Sequence, residues 1–235
     1  MGNSTKDYAW EEYWPGWVKN CQPNVEQMKE LLNSTGPGFC LAKWNQVTLH
    51  LGTGLTHSCH HPIPHKIPLD EVLKNPHNDL VGFGLAGDEL HFPPKLFTKT
   101  FDMLQEAKFP ITVHAGEWDG PERIRDAINL LHPTRLGHGV RSIEEYELIN
   151  YIKELDIVLE TCPTSNVATK IYKDYQEHPV KSLFNQGVKI TVNSDDPPFF
   201  NASIAGEYDV MSSLGLSNDE LKSLTKNAIE YSFCD

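Results

Sequence analysis

An α/β fold built on a parallel sheet is predicted from three observations on the 235-residue chain. After Pro76, short apolar runs alternate with helical patterns. Proline and capping residues mark the starts of those helices. Polar residues collect just where the apolar runs end: Asp88-Glu89, His114, His138, Glu160 and Asp195-Asp196. Alternation of this kind means βαβ units and parallel strands. A doubly wound sheet and a (β/α)8 TIM-type barrel both satisfy the pattern. No GxGxxG follows a strand, so the nucleotide-fold fingerprint is missing. In a barrel, the C-terminal ends of the strands carry the chemistry.

The elements are expected in this order. Residues 80–86 read as a strand, and 94–107 as a helix opened by prolines. Residues 110–114 form a strand, followed by a helix over 121–131 with proline in its first turn. A short strand over 135–139 precedes a helix over 142–153, where Ser142 and Glu145 have capping-box spacing. Residues 157–161 are a strand, and helical turns lead through Phe184. A strand over 188–193 is followed by closing helices over 205–214 and 218–231. Ser217 and Glu220 have capping-box spacing at the last of these.

Before Pro76 the order is harder to read, because "WPGW", "STGPGF" and "GTGLTHSCHHPIPHKIP" interrupt every short apolar run. A helix is expected around 25–33 and a strand around 46–51. A barrel takes ~250 residues over eight strands. Residues 1–79 are therefore expected to be a divergent or truncated segment, and residues 80–235 the barrel part proper. If this is the whole polypeptide, its sheet edges stay uncovered and self-association is expected.

Net charge of -12 argues against a phosphate-backbone binder and against an anionic membrane surface. Neither nucleic acid nor membrane is expected as a partner. Five cysteines in an odd count without CxxC suggest free thiols and a cytoplasmic location.

Each polar cluster has a functional and a plain reading. In "TVHAGEWDGPE", Gly116 breaks the strand, which lets Glu117 swing back beside His114. A neutral imidazole suits zinc, and a carboxylate beside it shuttles protons. The plain reading is a strand-end histidine and a helix-entry acid. In "ITVNSDDPPFF", adjacent Asp195 and Asp196 point apart and can hold different jobs; the plain reading is a helix N-cap. His138, between two glycines, is a pocket residue or a buried, satisfied histidine. Cys162 in "LETCPTSN" has no basic partner by spacing, so the segment reads as a turn that shapes the pocket floor. In "LAGDE", Gly87 permits close approach of backbone to a ligand, while Asp88 and Glu89 cap or solvate the next helix.

Taken in order, "VGFGLAGDE", "VHAGE", "RLGHG", "ETCPTSN" and "NSDDP" resemble the adenosine deaminase family of metal-dependent amidohydrolases, over roughly residues 80–233. The resemblance implies a (β/α)8 barrel, with residues 80–235 supplying strands 4 to 8 and one Zn2+ at the C-terminal mouth. It implies His114 and Asp195 as metal ligands, with His50 a further candidate. It implies that Glu117 protonates purine N1 while hydroxide attacks C6, and that His138 orients or deprotonates that hydroxide. Asp196 would contact N7 and the Gly87 backbone N3. The implied reaction is hydrolytic deamination of adenosine to inosine and ammonia. The alternatives are adenine as substrate, or a deaminase-like chain with impaired catalysis that acts as a binding module.

The chain departs from the family pattern in two places. No H-x-H occurs, although the family's first strand carries one that binds zinc. The nearest echo is "VTLHLGTGL", with His50, and His60-His61 are adjacent rather than alternate. Gly84 stands where the family often has aspartate.

Overall fold

The computed structural model describes residues 47–51, 73–74 and 80–233. Among the described residues, six strands form one all-parallel sheet in sequence order: β1 (Val47–Leu51), β2 (Leu80–Leu85), β3 (Ile111–Ala115), β4 (Arg135–His138), β5 (Val158–Thr161) and β6 (Ile190–Val192). β1 and β6 are the two edges among the described residues. This is an α/β parallel sheet consistent with an incomplete barrel. The expected helix over 25–33 and the pair His60-His61 lie outside the described residues.

The helices are α1 (Thr98–Glu106), α2 (Pro121–Leu131), α3 (Tyr146–Glu154), α4 (Pro163–Ala168), α5 (Val180–Asn185), α6 (Pro197–Phe200), α7 (Ile204–Ser213) and α8 (Asn218–Glu230). α2 shows why they lie against the sheet. Its apolar residues recur at helical spacing, and Ile124, Ala127, Ile128 and Leu131 are all buried. Pro121 opens it, and His132 at φ 48° ends it by donating its N–H to the Ile128 carbonyl. Phe101 and Leu104 of α1 and Leu148, Ile149 and Ile152 of α3 join the same core, with Val113, Leu136 and Leu159 from the strands. Each such side chain contributes about 1.5–3 kcal/mol by leaving water.

Three expectations change in detail. The helix over 94–107 splits into a 3-10 turn, Pro94–Leu96, and α1. The helix over 142–153 starts later, because Val140–Glu144 is 3-10. The first capping box does not form there. Ser142 Oγ donates 2.6 Å back to the Gly139 carbonyl, and Glu145 is drawn 2.6 Å from Arg125 Nη2. At α8 the second capping box is present in full between Ser217 and Glu220.

Candidate active site

The site forms at the C-terminal ends of the strands. β3 ends in His114-Ala115, and Gly116 follows at φ 80°. That backbone favours glycine, and a Cβ there would sit 2.3 Å from Ile124 Cδ1. The chain therefore turns sharply, and the peptide groups of residues 116–119 point their N–H groups one way. Glu89, 6% exposed, receives them all. Its Oε2 accepts from Gly116 N at 2.8 Å, and its Oε1 accepts from Glu117 N and Asp119 N at 2.8 Å and from Trp118 N. Asp88 does what the plain reading expected, accepting the N–H groups of Leu90 and His91 at 3.1 Å. Glu89 does not.

His114 packs beside His138, with ring centroids 5.1 Å apart at 65°. Gly137, beside it on β4, leaves room for the ring: a Cβ there would lie 2.6 Å from His114 Nδ1. That Nδ1 is buried without a hydrogen-bond partner. Burial, then the charge of His138, lowers the His114 pKa, so the imidazole is held in the neutral form that binds metals.

His138 is 1% exposed and has φ 61°, and Asp195 has φ 54°. Left-handed backbone is uncommon outside glycine and recurs at functional sites. His138 Nε2 lies 3.5 Å from Glu117 Oε2 and 3.7 Å from Asp195 Oδ2. Burial, then the charges of Asp195 and Glu89, pushes the Glu117 carboxyl well above the usual carboxylate range. The shift favours the protonated form of the Glu117 carboxyl.

Helix α4, which follows β5 where the sequence reads as a turn, ties these groups together. Thr164 N–H donates 3.3 Å to Glu207 Oε2, Ser165 Oγ donates 2.6 Å to Asp195 Oδ2, and Asn166 Nδ2 donates 2.9 Å to Glu117 Oε1. The segment that reads in sequence as a pocket floor thus holds both carboxylates. Burial and acidic neighbours push the Cys162 thiol well up, so it is no nucleophile.

Asp196 is the N-cap residue of α6, as the plain reading expected, but its side chain makes no capping hydrogen bond. Burial of its carboxyl, then the neighbouring Asp195 charge, raises its pKa to about 7, although the residue as a whole stays exposed. Gly87 has φ 120°, a backbone that favours glycine. Glu160 is structural: it receives a 2.5 Å hydrogen bond from Thr112 Oγ1 and lies 3.0 Å from Arg135 Nε. His50 lies on β1 in register with Gly84 of β2.

The donor types fit a zinc-class metal. His138, Cys162 and Asp195 offer ligand atoms within 4.8 Å of one another, and the His114 ring packs against His138. From sequence, His114, Glu117, His138, Asp195 and Asp196 stand out as candidates. Glu89 reads there as a residue that caps or solvates the next helix, and Ser165 and Asn166 are not singled out, their one local signal being their place inside a motif. No helix among the described residues is long and apolar enough to cross a membrane.

Residues 60–235 match the model of the adenosine deaminase family. The chain is 41% identical over 160 residues to an adenine deaminase of Sinorhizobium medicae, covering 68% of this chain and 49% of that protein. It resembles the solved structure of an adenine deaminase from Arthrobacter aurescens, with TM-score 0.67 and 30% identity over 71% of this chain and 51% of that one. An amidohydrolase from Burkholderia ambifaria, solved with bound Zn, is similar at TM-score 0.66 and 28% identity, over 71% and 47% of the two chains. The chain spans about half the length of the curated relatives it matches.

Proposed function

The chain belongs to the adenosine deaminase family, and we propose that its site serves hydrolytic deamination of a purine 6-amino group, with adenine preferred to adenosine as substrate. The observation that carries this reading is the meeting of Glu117, His138 and Asp195, with the pKa of the Glu117 carboxyl pushed up by its burial. The preference for adenine rests on the relatives, which are named adenine deaminases.

His114 and Asp195 would hold the metal, with His50 a further candidate on β1. A zinc ion there would lower the pKa of its water toward ~7 and so supply a nucleophile at neutral pH. Glu117 donates its proton to N1 of the ring, which makes C6 electrophilic. His138 faces the attacking oxygen and orients it. The Asp196 carboxyl meets N7, and the Gly87 backbone lies along N3. Water adds at C6, the C–N bond breaks, and ammonia leaves, so adenine gives hypoxanthine. Residues 80–235 would supply strands 4 to 8 of the barrel, and residues 1–79 the divergent segment.

The test is ammonia release from adenine and from adenosine, with and without added zinc. Turnover of adenine above adenosine that disappears in Glu117→Gln supports the proposal. Zinc-supplemented chain that turns over neither substrate defeats it.

A further inference from the structure

His138 meets Glu117 and Asp195 through Nε2, and the partner behind its other nitrogen decides what that Nε2 carries. The chain of donors starts at Val180, whose main-chain N–H donates 3.2 Å to His178 Nδ1. A peptide N–H cannot accept, so His178 Nδ1 is bare. The ring is neutral, because burial and then the charge of His138 lower its pKa to about 3. Its hydrogen is therefore on Nε2, which donates 3.1 Å to Asn166 Oδ1.

That contact orients the Asn166 amide. Nδ2 then has two hydrogens: one directed 2.9 Å to Glu117 Oε1, the other 3.2 Å to His138 Nδ1. The flipped amide would set N–H against N–H at His178 and oxygen against oxygen at Glu117. His138 Nδ1 is thus an acceptor, and a neutral His138 ring has its hydrogen on Nε2. Asn166 is 0% exposed, His138 1% and His178 4%, so solvent does not compete for these bonds.

We propose that Asn166, held in one orientation by His178, is a positioning residue that fixes His138 as the Nε2–H tautomer and leaves Glu117 Oε2 free to carry a proton. For its effect on rate this rests on the deaminase reading; the tautomer follows from the hydrogen bonds alone. His138 then shows the attacking oxygen a donor and orients it without taking its proton.

The experiment is 15N NMR of the histidine-labelled full chain, with His138 signals assigned by their loss in His138→Gln. The wild type is expected to show a bare Nδ1 and a protonated Nε2 at His138. Asn166→Ala is expected to mix the two tautomers and to lower kcat about 10–100-fold with little change in KM. His178→Gln, which keeps a donor toward Asn166 Oδ1, is expected to retain the tautomer; His178→Leu is expected to lose it. An Nδ1–H ring in the wild type, or an unchanged tautomer in folded Asn166→Ala, overturns the proposal. If the alanine variant does not fold, the wild-type spectrum alone decides for or against it. A wild type with the Nε2–H ring and no deamination would remove the activity reading and leave the tautomer assignment standing.

Discussion

Glu89 Oε1 accepts the main-chain N–H of Glu117 at 2.8 Å, so one buried acid fixes the backbone from which the second acts. Three neighbouring N–H groups converge on the same carboxylate. Charge-assisted bonds of this kind are about twice as strong as neutral ones. Glu89→Ala would strand four donors in a part-buried loop. We expect a loss of about 2–4 kcal/mol in urea unfolding, together with loss of turnover. Wild-type stability in that variant would show that the loop holds itself.

Glu117→Gln separates chemistry from folding. Asn166 still finds an oxygen to donate to, so the melting temperature should stay close to wild type. The amide cannot deliver a proton to the ring, and turnover should fall by about 10²–10⁴. Steady-state ammonia release beside a thermal melt checks both halves.

Gly137→Ala probes the room beside His114. The new Cβ would sit 2.6 Å from His114 Nδ1, so the ring must move. We expect zinc affinity to drop about 10–100-fold in a competitive chelator titration. A destabilisation of about 1–3 kcal/mol from overpacking should accompany it. Unchanged affinity would remove His114 from the ligand set.

His178 gives stability a pH dependence. Its folded pKa of about 3 lies below the ordinary 6.5, and the groups facing it are His138 and the Tyr172 ring. Between those values the unfolded chain holds a proton that the folded ring refuses. The contribution is full above pH 6.5 and drains as pH falls toward 3, with a slope of about 1.4 kcal/mol per pH unit. Urea melts across that range should show a shallower slope in His178→Gln. Parallel slopes for the two proteins would count against a neutral His178.

Order and type of the elements were legible because they depend on local rules. The α2 residues Ile124, Ala127, Ile128 and Leu131 repeat at helical spacing, and Pro121 opens their helix. Ser217 and Glu220 are close enough in sequence to cap α8 by themselves. Ser142 and Glu145 have the same spacing, yet no box forms. The nearby Gly139 carbonyl binds Ser142, and Arg125, 20 residues away and reached through the fold, binds Glu145.

By itself, the sequence determined which residue types stand at the ends of the strands, because those positions follow from periodicity and from Gly116, Gly137 and Gly139. Hence His114, Glu117, His138, Asp195 and Asp196 could be named from motifs. Only the tertiary structure decided what holds them. Glu89 lies 28 residues from Glu117, Ser165 lies 30 from Asp195, and Asn166 lies 28 from His138. No local pattern encodes such contacts, since they arise only when parallel strands bring their C-terminal ends to one face. The upward pKa shift of the Glu117 carboxyl has the same origin: it comes from burial and from acids that the sheet gathers around it.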